Sequence, residues 1–479
     1  TNEFAFDSLM HSLMTNFSGY YPAATGTNQV RPATNTTTLT LRLGPGTYET
    51  HGDATQHGAQ LAWSPRNGWR IIGSGKRQTV LKAVHFTAGE KRSVLGHYSL
   101  RSKSVGYYQN FEISDLTIDA NAFDNGTNSA LRAVHCANFV GSNVQMRRVR
   151  AINAGTTIPG WEIAHLVMHN FGEEEDGTHN LIVEDCDFAQ PQVNNDYPSG
   201  LLSICGEYGP SGNIHYYHGV IVRNCLVEGT PYSGNTPVDK TLYSVWNRGR
   251  YGIGTGGVRN AIFEDNLIQD VNMGLYTELG VHSILARNNH LRDVCFGFDL
   301  NFVGNSWQSF RLEDVFAFEN NLVEFDPAFF PVRDTWQTRG RRYGFRLLGK
   351  EMGPADYSLN RIIVSNNTFR FTDGVVPHTN VSAHAGSLQA FRSAQICSNQ
   401  FLGDFACLDW DNGPNILQRQ IDLADSTSVP FMELRQNVTI GGASVDIYPH
   451  VLDRTLPRSV VSAGAKVHFQ SPLFENVSA

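Results

Sequence analysis

The sequence predicts an all-β fold, a right-handed parallel β-helix with a short N-terminal capping helix. Three observations carry that prediction. A six-residue signature recurs along the chain, the spacing between copies varies while the signature does not, and the composition suits a turn-rich β protein. The 479 residues are 41% hydrophobic and 17% charged, with 45 glycines. That charged fraction is low beside the roughly 25% of ordinary soluble proteins. Length alone would suggest about three domains, but solenoids grow by adding coils.

The signature reads apolar, two variable positions, often Asn, one variable position, apolar. It occurs at Ile113–Ile118, Val183–Phe188, Val222–Val227, Phe263–Ile268, Phe318–Val323, Val364–Phe369 and Ile396–Phe401, with a weaker copy ending at Leu291. Its fourth position forms a column of Leu116, Cys186, Cys225, Asn266, Asn289, Asn321, Asn367 and Asn399, to which an imperfect copy adds Val149. A constant core with spacings of 23 to 46 residues is what coils with outer loops of differing length produce. Asn suits the column because it tolerates the left-handed backbone at a sharp turn. Coils about 4.8 Å apart also let successive side chains bond as a ladder.

Three further segments carry a family resemblance. Phe4–Phe17 has apolar residues at helical spacing and could cap an open solenoid end. Leu43–Tyr48 holds a Pro-Gly-x-Tyr turn, and Ile71–Gly75 followed by Thr79–Leu81 is similar to the turn after it. On these motifs the chain resembles the pectin-lyase-like superfamily of single-stranded right-handed β-helices over roughly residues 40–440. The resulting division is a cap over 1–40, the β-helix over 41–440, and a C-terminal cap or tail over 441–479. The resemblance implies a carbohydrate substrate and a secreted or periplasmic setting, although no signal segment is visible.

The totals exclude some classes. A net charge of −8 argues against general nucleic-acid binding, which needs a basic field. No apolar run reaches 18 residues, so no membrane-spanning helix is expected. The seven cysteines lack metal-pair spacing and are read as buried thiols. Oligomeric state is not legible.

By the resemblance, the strand preceding each signature by one outer loop lines the substrate groove. Those segments are 131–139, 163–171, 201–208, 242–248, 275–279, 298–302 and 345–349. Period-two alternation sends Leu275, Thr277, Phe298, Leu300, Phe345 and Leu347 inward, and Tyr276, Glu278, Asp299, Asn301 and Arg346 outward. Aligning Gly274, Gly297 and Gly344 puts Tyr276, Asp299 and Arg346 in one column, with Glu278 and Asn301 two residues along. Glu278 and Asp299 would then lie about 8 Å apart at their Cβ atoms, within the roughly 6.5–9.5 Å of an inverting glycosidase pair. One would be the general acid and the other the base, with Arg346 tuning them.

Other groove residues are candidates for substrate binding. His165 and His169, both read as outward, and His135 could transfer protons. Tyr243 and Trp246 could stack on sugar rings, and Arg248 could meet an anionic sugar. Solvated surface or packing is the alternative for each. The acidic run Glu173–Asp176 could hold Ca²⁺ or be a solvated loop. Arg333, Arg339, Arg341, Arg342, Arg346 and Lys350 form a basic cluster suited to uronate or sulfate, or to local salt bridges.

Three functions stay open: glycoside hydrolysis by Glu278 and Asp299, which needs no cofactor; β-elimination on a uronic-acid polymer, which could add Ca²⁺; and a non-catalytic glycan-binding shaft such as a tail fibre or adhesin. The Gly-His-Gly and Arg-Ile-Lys tripeptides of polygalacturonases are absent, as is the Arg-x-Pro-x-x-Arg pattern of pectate lyases.

Overall fold

The structure is a computed structural model that describes residues 5–16, 38–51, 60–63, 68–84, 90–96, 108–122, 132–156, 164–170, 180–189, 192–193, 200–208, 214–230, 251–301, 314–325, 342–348, 351–353, 356–357, 359–371, 383–389, 391–402, 405–406, 431–435, 438–440, 466–469 and 474–475. They are almost all strand, with one helix, Ala5–Asn16. The chain divides into two compact units: residues 1–231 with 246–254, and residues 232–245 with 255–479.

In the first unit, strand Gly46–Thr50 pairs parallel with Thr79–Ala83, that strand with Glu112–Asp119, and that one with Val144–Ile152. In the second unit, Met273–Arg287 pairs parallel with Val315–Glu319, followed in turn by Leu359–Ser365, Phe391–Cys397, Phe431–Arg435 and Lys466–Phe469. Each strand thus bonds to the one a coil away rather than to its sequence neighbour, which is the parallel β-helix expected. Hairpins are minor, for example Leu202–Tyr208 with Ile214–His215.

Interior positions of the signature fill each core. Ile113, Leu116, Ile118, Val183 and Phe188 are buried in the first unit, and Phe263, Ile268, Phe318, Val323 and Phe369 in the second. Phe298 packs on Phe318 with ring centroids 4.7 Å apart. The helix covers the first coil as a cap. Phe6 and Met10, one turn apart, are buried, and Phe6 meets the Tyr48 ring edge-on at 6.4 Å. Asp7 accepts hydrogen bonds from Thr50 Oγ1 at 2.5 Å and His51 N at 2.8 Å.

The asparagine ladder forms. Nδ2 of Asn266, Asn289, Asn321 and Asn367 each donates to Oδ1 of the next member at 2.9–3.0 Å, ending at Asn399. Each receiving Oδ1 also accepts the backbone N–H of the residue before it in the ladder. All five side chains are buried. One part of the sequence reading needs correction: the left-handed turn does not fall on the ladder residue. It falls one position earlier, on Asp115, Arg148, Asp185, Asn224, Asp265, Asn288, Asn320, Asn366 and Ser398, all with φ between 51° and 60°. Turning and stacking are thus separate jobs for adjacent positions.

A second stack escaped the sequence reading. Asn143 Nδ2 donates to Asn110 Oδ1, and Asn180 Nδ2 to Asn143 Oδ1, both at 3.1 Å on the surface. Its signal was an Asn three residues before the apolar positions Ile113, Met146 and Val183.

Candidate functional site

The backbone register brings the three principal residues into line. Tyr276 pairs with Asp299, and Asp299 with Arg346, on strands Met273–Arg287, Phe296–Asn301 and Arg342–Leu348. Thr277 pairs with Leu300, and Asn301 with Leu348, which sets Glu278 next along its strand. The alignment by glycines is set by close approach. A Cβ on Gly274 would stand 2.8 Å from Gly297 O, and one on Gly297 would stand 2.4 Å from Gly344 O.

Within the column, Arg346 grips Asp299 with a bidentate pair. Nε donates to Oδ1 at 2.8 Å and Nη2 to Oδ2 at 2.5 Å. The guanidinium also lies over the Phe296 ring, 4.8 Å from its centroid, and Phe296 stacks on Tyr343 at 5.9 Å. The planar fork and the aromatic face fix Arg346 from two directions.

The column is not an open groove. Tyr276 is 6% exposed, Asp299 0% and Arg346 4%. Phe298, Leu300, Phe345 and Leu347, on the alternate positions, are buried as well. Alternation correctly separates two faces, but it reads one of them as solvent-facing because period-two logic knows only the strand, not what lies over it.

His165 is corrected more sharply. It sits at the bend before strand Leu166–Asn170, is 1% exposed, and has its Nε2 2.8 Å from Ala189 O. Burial pushes its pKa down to about 3, so the ring is neutral at ordinary pH, with Nε2–H donating to Ala189 O and no proton taken up at Nδ1. The ring is therefore enclosed rather than outward-facing, as alternation had it. His135 is also buried, its Nδ1 3.0 Å from Ala164 O. His169 lies on Leu166–Asn170, its backbone in register with Val140 and Cys205. Tyr243, Trp246, Arg248, the run Glu173–Asp176, and Arg333, Arg339, Arg341 and Lys350 lie outside the described residues, and the side chains of Glu278, Asn301 and His169 are likewise not described.

No family profile and no curated protein matches the chain. Solved structures similar to it include the A-module of the Azotobacter vinelandii mannuronan C-5 epimerase AlgE4. That chain is 13% identical, with 85% of this chain and 80% of that one covered and a TM-score of 0.34. Another is a mutant tailspike protein of E. coli bacteriophage HK620 in complex with a pentasaccharide, 13% identical, covering 84% and 60%, TM-score 0.34. A third is a family 28 exopolygalacturonase of Yersinia enterocolitica, 8% identical, covering 83% and 72%, TM-score 0.29. It is the chain's own coil-to-coil parallel strand pairing that makes it a parallel β-helix.

Two polar clusters were not anticipated. His282 and Asp314, both buried, hydrogen-bond through Nδ1 and Oδ2, and Ser283 Oγ donates to Asp314 Oδ1 at 3.3 Å. Glu324 accepts from His290 Nε2 at 2.5 Å and from Arg370 at 2.5 and 2.8 Å, clamping three successive coils. Burial alone would raise the Glu324 pKa, but His290 and Arg370 outweigh it and hold the carboxyl below its usual value. These residues sit 31 to 46 positions apart, so only coil stacking reveals them. Among the described residues, no group of three or more His, Cys, Asp or Glu side chains could hold a metal ion, and no helix is long and apolar enough to cross a membrane.

Proposed function

We propose that this chain is a carbohydrate-active enzyme that cleaves glycosidic bonds in a polysaccharide or oligosaccharide, using Glu278 and Asp299 as its paired carboxylates. The observation that carries this reading is the bidentate Asp299–Arg346 pair, held in one column with Tyr276 and two residue positions short of Glu278 on the neighbouring strand. Buried ion pairs stabilise little compared with apolar groups of the same volume. A buried pair whose backbone register lies along the strand that carries Glu278 therefore favours a chemical use. Glu278 would protonate the departing oxygen, while Asp299, oriented by Arg346, would direct the attacking water. This chemistry requires a saccharide and water to reach Asp299, which is 0% exposed.

That same burial favours one second reading, a non-catalytic glycan-binding shaft in which the pair staples two coils together. Either reading suits a secreted or periplasmic protein. The test is incubation with neutral and anionic polysaccharides, following reducing ends, unsaturated-uronate absorbance and binding. New reducing ends that disappear in both Glu278→Gln and Asp299→Asn, with circular dichroism unchanged, support the hydrolase. Unsaturated product would replace it with a lyase, binding without cleavage with a shaft, and full activity in both variants would remove these residues from the mechanism.

A further inference from the structure

Where the second unit has its asparagine ladder, two coils of the first unit carry cysteines at the same position. The register brackets them on both sides. Val183 pairs with Val222 and Asp187 with Leu226, so Cys186 stands over Cys225 in the adjacent coil. The backbones are locked there, since Leu226 N donates to Cys186 O at 2.9 Å. Both side chains are buried and adopt the same pose: each thiol donates to the carbonyl two residues earlier, Glu184 O and Arg223 O, at 3.2 Å. Burial raises the Cys225 pKa, and the neighbouring Cys186 thiol raises it further.

A coil rise of about 4.8 Å is the Cα separation this register imposes, and it falls within the roughly 4.4–6.8 Å that a disulfide spans. Cys136, Cys205 and Cys295 are also thiols rather than half-cystines, and none of them belongs to this column. We propose that Cys186 and Cys225 are a cross-coil disulfide site, oxidised by a peroxide or by exchange with a disulfide-bonded oxidant. With hydrogen peroxide, the Cys186 thiolate displaces hydroxide from the O–O bond to give a sulfenic acid. Cys225 sulfur then displaces its oxygen as water. In total two thiols and one peroxide give one S–S bond and two waters, and the two sulfurs are each oxidised by one electron while the peroxide is reduced by two. The product would tie covalently, in the first unit, the same coil position that the amide ladder ties in the second.

Burial makes the reaction in the folded chain slow, because the thiolate is the attacking species. The experiment therefore runs in two arms, hydrogen peroxide on the folded protein over hours, and refolding in a glutathione redox buffer. Each is followed by acid quench, alkylation under denaturing conditions and non-reducing peptide mapping. The expected result is a peptide linked through Cys186 and Cys225 in at least one arm, lost on reduction, with a raised thermal midpoint. Cys225→Ser should abolish the link and the midpoint rise while Cys136 and Cys295 stay alkylatable. If that variant fails to fold, Cys186→Ala answers the same question. Full alkylation of both residues in both arms, or linkage to another cysteine instead, overturns the proposal.

Discussion

Replacing His165 by Gln keeps an amide N–H near the position of Nε2, where it can still donate to Ala189 O, and removes the titrating ring. In the folded protein burial holds the ring neutral down to about pH 3, whereas in the unfolded chain it takes a proton near 6.5. Because the folded pKa is the lower one, stability is complete above about 6.5 and falls as the unfolded state alone binds a proton. From that pair of values the loss is about 2 kcal/mol by pH 5, about 3 kcal/mol by pH 4, and on the order of 5 kcal/mol once pH drops below 3. Against a typical net stability of roughly 5–15 kcal/mol, that is a large share for one side chain. The assay is equilibrium urea unfolding of the protein and His165→Gln at intervals between pH 7.5 and 4, taking the difference so that the other histidines and the carboxylates cancel. The wild type should lose about 2 kcal/mol more than the variant between pH 7 and pH 5. Parallel curves across that window would mean the ring titrates alike in both states, and would refute its enclosure.

Three other outcomes follow from named contacts. Asn321→Ala removes the acceptor of Asn289 N and Nδ2 and the donor to Ala286 O, so urea unfolding should show a loss of about 3 kcal/mol or more, from roughly 1–3 kcal/mol per stranded buried group. Arg346→Met leaves the Asp299 carboxylate buried without its partner and should cost about 3–5 kcal/mol, while Asp299→Leu combined with Arg346→Met should recover most of that. The doubly substituted protein, folded but without hydrolysis, would separate the pair's chemical use from its structural one. Gly73→Ala would push a Cβ to 2.2 Å from Asp115 O, a backbone atom that cannot swing aside, and should lower the thermal midpoint through overpacking of about 1–3 kcal/mol.

How much was legible depended on which physical rule each feature obeyed. Signature spacing, the apolar interior and the ladder are properties of one coil repeated, so Asn266 to Asn399 could be placed in one column from the chain alone. Register followed for the same reason, because Gly274, Gly297 and Gly344 mark one place in three successive coils. The exposure of Asp299, Arg346 and His165 was misread, because alternation tells a strand's two faces apart without saying whether either meets water.

The sequence by itself therefore determined the coil, its hydrophobic interior, its polar ladder and the alignment of Tyr276, Asp299 and Arg346. These depend on local period and on backbone turns that a few residues dictate. Only the tertiary structure decided that the aligned column is buried, that Arg346 closes on both Asp299 oxygens, and that His165 is enclosed and neutral. Burial and side-chain pairing are set by what residues tens of positions away bring alongside, and the desolvation that holds His165 neutral exists only once those residues have arrived.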